Sequence, residues 1–202
     1  MLILASASPR RTEILTAMGI PHAVVASTVD ESLIAADHPR TFALRAAFAK
    51  AREVADRQPE GTWVLGADTV VTQDLLLFGK PRDAADAVRT LRRLAGTVHQ
   101  VITGIALVRA GSTTAHLHAD TTRVRFRPLT DEEITDYVAT GEPMDKAGAY
   151  GIQGIGGTLI EVIYGSYFNV VGLPAERLLN TLEEAGLEGR FRLPSPPQRW
   201  RQ

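Results

Sequence analysis

The residues best suited to chemistry fall in five short polar segments. The first is Ser6-Ala7-Ser8-Pro9-Arg10-Arg11, where an apolar run ends and a helix begins with two arginines in its first turn. Free N–H groups at a helix start attract anions, and arginine adds a two-pronged donor for phosphate. Two solvated arginines on a helix start are the plainer alternative. The segment lacks the glycines and the terminal Lys-Ser/Thr of a P-loop. The second is Gly66-Ala67-Asp68-Thr69. It places an acid where an apolar strand is expected to end, a common ligand position in α/β sheets. Such a carboxylate can hold Mg²⁺ or take a proton from water, or it can simply start a turn. Asp30-Glu31 offers further acids. Gly79-Lys80-Pro81 puts a lysine in a tight turn. Glu142-Pro143-Met144-Asp145-Lys146-Ala147-Gly148, followed by Gly151-Ile152-Gln153-Gly154, supplies acids, a lysine and an amide able to read a base edge.

The lysines sharpen this pattern. Of 22 basic residues only Lys50, Lys80 and Lys146 are lysine; the other 19 are arginine. All three fall in or beside the polar segments, as expected where a compact point charge meets phosphate. His116 and His118 share one face of a strand and could pair on a metal, but the sequence places no third ligand near them. A structural role is the better reading of that pair.

These segments need a scaffold. Leu2–Ala5 and His22–Ala26 read as short strands. Between them a helix starts at Ser8-Pro9 and stops at Gly19. Pro39 to about Arg57 is a long Ala-rich helix, and Lys50 lies on it. Trp63–Leu65 is a strand running into Gly66–Thr69 and resuming at Val70-Val71, with Leu75–Phe78 as a hairpin arm. Asp83 caps a helix through Leu94. Val98–Val108 and Thr113–Phe126 are long β runs, and alternation around Arg123, Arg125 and Arg127 gives the second a wet face. Thr130 with Glu133 forms a capping box for a helix to Thr140. Gly148–Gly157 reads as loop, Leu159–Ile163 as strand and Pro174–Ala185 as the last helix. Interleaved strands and helices with antiparallel hairpins predict an α/β fold with a mixed central sheet and flanking helices. One domain over residues 1–190 and a Pro/Arg-containing tail over 191–202, poorly ordered, are expected.

Composition narrows the function classes. The chain has 202 residues, 45% hydrophobic and 22% charged, with net charge −1. That balance excludes a chain-wide basic field for nucleic acid or acidic lipid. The absence of cysteine excludes disulfides and thiol catalysis. No run is long and apolar enough for a membrane span, and the N-terminus does not read as a signal peptide. A cytoplasmic protein is expected.

In order along the chain, Leu4–Arg11, Gly66–Val71, Gly79-Lys80-Pro81, Glu142–Gly154 and Asn169-Val170-Val171-Gly172-Leu173-Pro174 resemble the Maf family of nucleoside triphosphate pyrophosphatases. The match spans residues 2 to 185 or so, and the Glu-Pro-Met-Asp-Lys-Ala-Gly-Ala-Tyr-Gly-Ile-Gln-Gly run is its most specific part. The resemblance implies a fold like inosine-triphosphate pyrophosphatases, with two lobes around a cleft. It implies cleavage between the α and β phosphates with a divalent cation, Mg²⁺ or Mn²⁺. By motif, Asp68 matches the family's proton acceptor. Ser8, Arg11, Lys50, Lys80 and Lys146 match positions around the phosphates, and Glu31, Asp68 and Asp145 match positions around the metal; between Asp30 and Glu31 the choice stays open. Arg10, Thr69 and Gln153 match the branch acting on dTTP and UTP rather than the branch acting on N7-methyl-GTP, which resembles Trp, Gln and Glu there. A homodimer is common for the fold by this resemblance. A nucleotide-binding regulator of septum formation is the non-enzymatic alternative that the family suggests.

Overall fold

The computed structural model describes residues 1–187. The expected tail over 191–202 lies outside the described residues. One seven-stranded sheet organises them, in the order β2-β1-β3-β5-β6-β7, with β4 paired to β3. The strands are β1 (Leu2–Leu4), β2 (His22–Val24), β3 (Trp63–Gln73), β4 (Leu76–Phe78), β5 (Val98–Arg109), β6 (Ala115–Phe126) and β7 (Ile160–Tyr164). The helices are α1 (Pro9–Ala17), α2 (Pro39–Ala55), α3 (Ala84–Leu94), α4 (Asp131–Ala139), α5 (Tyr167–Val171) and α6 (Ala175–Glu184). β1 runs parallel to β2 and β3, and the remaining pairings are antiparallel, so the sheet is mixed as expected. Among the described residues no helix is long and apolar enough to cross a membrane.

Alternation along β3 sorts the layers. Leu65 and Ala67 face one side, where they join Leu4, Leu15, Ile105, Leu107, Leu178 and Leu182 in a core under α1 and α6. Val64 faces the other side and packs with Ala47, Ala51 and Val54 of α2. A further core, with Val71, Leu91, Phe126, Ile134 and Tyr137, joins the far end of the sheet to α3 and α4. The two ends of the sheet therefore carry separate lobes.

Helix α2 lies unusually close to the sheet. A Cβ on Gly66 would sit 2.2 Å from the Ala47 carbonyl oxygen, and one on Gly104 would sit 2.4 Å from that of Ala43. Ala43, Ala46, Ala47 and Ala51 are fully buried in this contact. The alanine richness of the helix thus has a reason: no larger side chain fits between its backbone and the strands.

The strand carrying Asp68 differs from expectation. β3 does not end at Gly66-Ala67-Asp68-Thr69; it runs unbroken because β5 pairs with it residue by residue from Trp63 to Thr72, with Asp68 opposite Gly104. What ends is the neighbour on the other edge. β1 pairs only with Trp63–Leu65, and β4 joins only from Val71. The edge between them is left open. Sequence patterning also missed α5, which spans only five residues, and the 3-10 turns at Ala147–Ala149 and Ile155–Leu159 within the glycine-rich stretch.

Two consequences can be measured. Gly104→Ala should cost about 1–3 kcal/mol of stability, the usual price of overpacking, read as a lower urea midpoint at an unchanged slope. His99 is 1% exposed, with Nε2 2.8 Å from the Tyr150 hydroxyl and its ring edge-on to Phe126. Burial pushes its pKa down to about 4 from an ordinary 6.5. The unfolded chain then takes up the proton first, so this contribution to stability is complete above the unfolded value and is lost as pH falls toward 4. By pH 5 the loss is about 2 kcal/mol. Urea melts at pH 7 and pH 5 should show this drop, and His99→Gln should remove most of it. Equal drops in both proteins would contradict the assignment.

Candidate functional site

A cleft of about 900 Å³ opens at the exposed edge of β3, between the two lobes. Ser8, Arg10, Arg11, Glu31, Lys50, Asp68, Thr69, Lys80, Asp145, Lys146 and Gln153 all line it. These eleven residues therefore share one concave surface, although they come from positions up to 145 apart in the chain.

The electrostatic centre is a carboxylate pair on one ammonium. Lys50, presented by α2, places Nζ 2.6 Å from Asp68 Oδ1 and 2.6 Å from Glu31 Oε1. Asp68 is 5% exposed. Burial raises its pKa above the ordinary carboxylate value and prevails over the opposing attraction and hydrogen bond of Lys50; nearby Glu31 pushes it the same way. The result is a carboxylate better able to accept a proton than one in water. Asp30 accepts from the Ser32 amide and hydroxyl and so caps the short turn over Glu31–Leu33, whereas Glu31 reaches Lys50.

Adjacent residues on a strand face opposite ways, so Thr69 turns from α2 toward α1 and α5. There Arg11 is held by three bonds: Nε to the Gly172 carbonyl at 2.9 Å, Nη1 to Ser6 Oγ at 2.9 Å and Nη2 to Thr69 Oγ1 at 3.2 Å. A guanidinium has five N–H groups, so two remain for a ligand. Ser8 sits at the N-cap of α1, but its side chain makes no capping bond there; instead its backbone N–H is bound by Ser6 Oγ at 3.2 Å. The loop is thus shaped by Ser6, a residue that sequence reading quoted but gave no role.

The opposite wall is carried by the turns after α4. Asp145 pairs with Arg10 at 3.3 Å across the cleft and with Lys146 at 2.6 Å. Lys146 Nζ also bonds the Glu142 carbonyl at 2.6 Å. Lys80 lines the cleft and, among the described residues, forms no ion pair. Glu142 was legible as part of the motif but not as a clasp. Its carboxylate accepts from the Tyr137 hydroxyl at 2.9 Å, the Ile155 amide at 2.9 Å and the Gly156 amide at 3.0 Å. This folds the glycine-rich loop against α4 and holds Gln153, exposed on the cleft rim, in place.

The expected three-carboxylate metal set is not one cluster. Glu31 and Asp68 meet on Lys50, while Asp145 stands on the other wall, tied to Arg10 and Lys146. Among the described residues no three His, Asp or Glu side chains are arranged to hold a metal ion. A hard cation bound to phosphates needs only one or two protein carboxylates, and Glu31 with Asp68 fits that smaller requirement. His116 and His118 lie away from the cleft, where the fold brings Glu184 to them, at 3.8 and 2.7 Å.

The chain is similar to known proteins along most of its length. Residues 1–185 match the family described as Maf-like protein. A dTTP/UTP pyrophosphatase of Symbiobacterium thermophilum is 53% identical over 185 residues, covering 92% of this chain and 94% of its own. The dTTP/UTP pyrophosphatase of Syntrophotalea carbinolica is 50% identical over 186 residues, covering 92% and 84%. That of Geobacter metallireducens is 50% identical over 185 residues, covering 92% and 96%. The solved HAM1 protein from Coxiella burnetii aligns with a TM-score of 0.50 at 15% identity over 91% of this chain and 98% of that one, a likeness of fold.

The clasp is open to direct test. Glu142→Ala leaves the Ile155 and Gly156 amides without their acceptor. Their hydrogen exchange should speed up by roughly 10–100-fold, the range expected for a lost bond to a charged group, while amides in the middle of β3 keep their protection.

Proposed function

This chain belongs to the Maf family, and on that premise we propose that it hydrolyses nucleoside triphosphates, dTTP and UTP foremost, to the nucleoside monophosphate and pyrophosphate. The observation that carries the reading is the Lys50 clasp: a buried carboxylate of raised pKa, fixed on an ammonium, in a cleft that also holds Arg11, Lys80 and Lys146.

The residues divide the work. Asp68 uses one oxygen for Lys50; its second takes no hydrogen bond from the protein among the described residues and is turned to accept a proton from water. The water oxygen bonds to the α phosphorus as the bond from that phosphorus to the bridging oxygen breaks. Negative charge gathers on the departing pyrophosphate, and Arg11, Lys80 and Lys146 face it with fixed positive charge. Positioning and preorganised charge of this kind provide most of the catalysis in phosphoryl transfer. Lys50 holds Asp68 and Glu31 in register. Glu31 and Asp68 would hold Mg²⁺ or Mn²⁺, which when bound adds neutralising charge on the phosphate oxygens. Arg10, Thr69 and Gln153, which line the same cleft, would read the pyrimidine ring.

The test is product analysis with Mg²⁺ and dTTP, UTP, dATP, GTP or N7-methyl-GTP in parallel. Monophosphate and pyrophosphate should form from dTTP and UTP. Asp68→Asn should slow turnover by about 10²–10⁴-fold, the usual contribution of a general base. Because burial disfavours the ionised Asp68, the same variant should melt at or above the wild-type temperature. Near wild-type turnover in Asp68→Asn would remove it from the base role, and turnover of N7-methyl-GTP alone would overturn the pyrimidine assignment.

A further inference from the structure

On the α5 side of the sheet a row of polar groups runs inward from the cleft. Arg11 Nη2 lies 3.2 Å from Thr69 Oγ1, which lies 2.9 Å from Thr103 Oγ1, which lies 2.9 Å from the Asn169 carbonyl oxygen. The ends of this row fix its direction. A guanidinium can only donate and a carbonyl can only accept. Thr103 has one hydroxyl proton and gives it to Asn169. Thr69 must then give its own proton to Thr103, while accepting one from Arg11. Only a lone pair of Thr69 is left to face the cleft.

The inner end of the row cannot turn over. Thr103 and Asn169 are both 0% exposed. Asn169 Oδ1 accepts from the Thr103 amide at 3.2 Å, and its Nδ2 donates to the Val101 carbonyl at 2.9 Å and to Thr122 Oγ1 at 3.0 Å. The outer end is kept clear. A Cβ on residue 172 would stand 3.4 Å from Thr69 Oγ1, and that residue is glycine with φ of +123°.

We propose that Thr103 is a positioning residue that fixes the Thr69 hydroxyl as a pure acceptor. The substrate group in front of Thr69 is then a hydrogen-bond donor, the imino N–H of a uracil or thymine ring, and not a phosphate oxygen. The inference rests on the nucleotide reading above and sharpens it: recognition at this point depends on proton direction, set one residue deeper than the cleft wall. A sugar hydroxyl is the other donor that a nucleotide offers, and the experiment separates the two.

Steady-state kinetics would be run with dTTP, N3-methyl-dTTP and dideoxythymidine triphosphate on the wild type, Thr103→Val and Thr103→Ser. N3-methylation should lower wild-type kcat/KM by roughly 10–100-fold, and loss of the 3′-hydroxyl should leave it nearly unchanged. Thr103→Val should shrink the methylation penalty, chiefly by raising KM for dTTP, whereas Thr103→Ser should restore it. A penalty of the same size in the wild type and in folded Thr103→Val would overturn the role of Thr103. A wild type that tolerates N3-methylation but not loss of the sugar hydroxyl would overturn the assignment to the base. Should Thr103→Val fail to fold, these wild-type substrate arms still decide that assignment, and Thr103→Ser with a lost penalty would count against the positioning role. If the wild type cleaves none of the three, the hydrolase reading itself fails, and this inference falls with it.

Discussion

The closeness of helix α2 to the sheet is the constraint on which the site depends. Two glycines on neighbouring strands and a run of alanines on the helix let backbone meet backbone where side chains normally intervene. Lys50, projecting from that helix, consequently arrives beside Asp68 with little freedom to move away. A looser contact would leave the ammonium in water and the carboxylate buried without a partner, which is costly. The tight packing and the ion pair are therefore one design: packing brings the charges out of water, and the pair makes their burial tolerable.

The open edge of β3 supplies the second requirement, access. A carboxylate in the middle of a fully paired strand would be sealed off. Here β1 stops at Leu4 and β4 begins only opposite Val71. In that gap consecutive residues serve both faces of the sheet: Asp68 joins the α2 charges, and Thr69 joins Arg11 and the hydroxyl row. One stretch of strand thus serves both faces of the sheet at a single opening.

Much of this was legible in the sequence, for physical reasons that differ by residue. Lys50, Lys80 and Lys146 stood out because the chain otherwise uses arginine. The capping box at Thr130 and Glu133 and the alternation around Arg123, Arg125 and Arg127 are local patterns, and both appear in the structure. The continuity of β3 through Gly66 and Asp68 was not legible, because glycine and aspartate disfavour strands and only pairing with β5 overrides that preference. The roles of Ser6, Glu142 and Asn169 were hidden for a related reason. Each is defined by partners distant in the chain or set by loop geometry, and a polar side chain in a sequence does not reveal which groups it will satisfy. The separation of Asp145 from Glu31 and Asp68 was likewise invisible, since an acid's motif gives its loop but not the wall on which that loop will stand.

The placement of Asp68 on a ladder of ten consecutive pairs rather than on a loop bears on how such a protein can diversify. Connections can lengthen or shorten around the sheet without shifting that carboxylate, because strand register fixes it. The glycine-rich rim is held differently, by its Ile155 and Gly156 amides on a single Glu142 carboxylate, and a few substitutions can reshape it. The fold therefore keeps Asp68 and Thr69 on an element that insertions cannot shift and carries Gln153 on one that a few changes can re-form, so that the floor of the cleft and its rim are free to change at different rates.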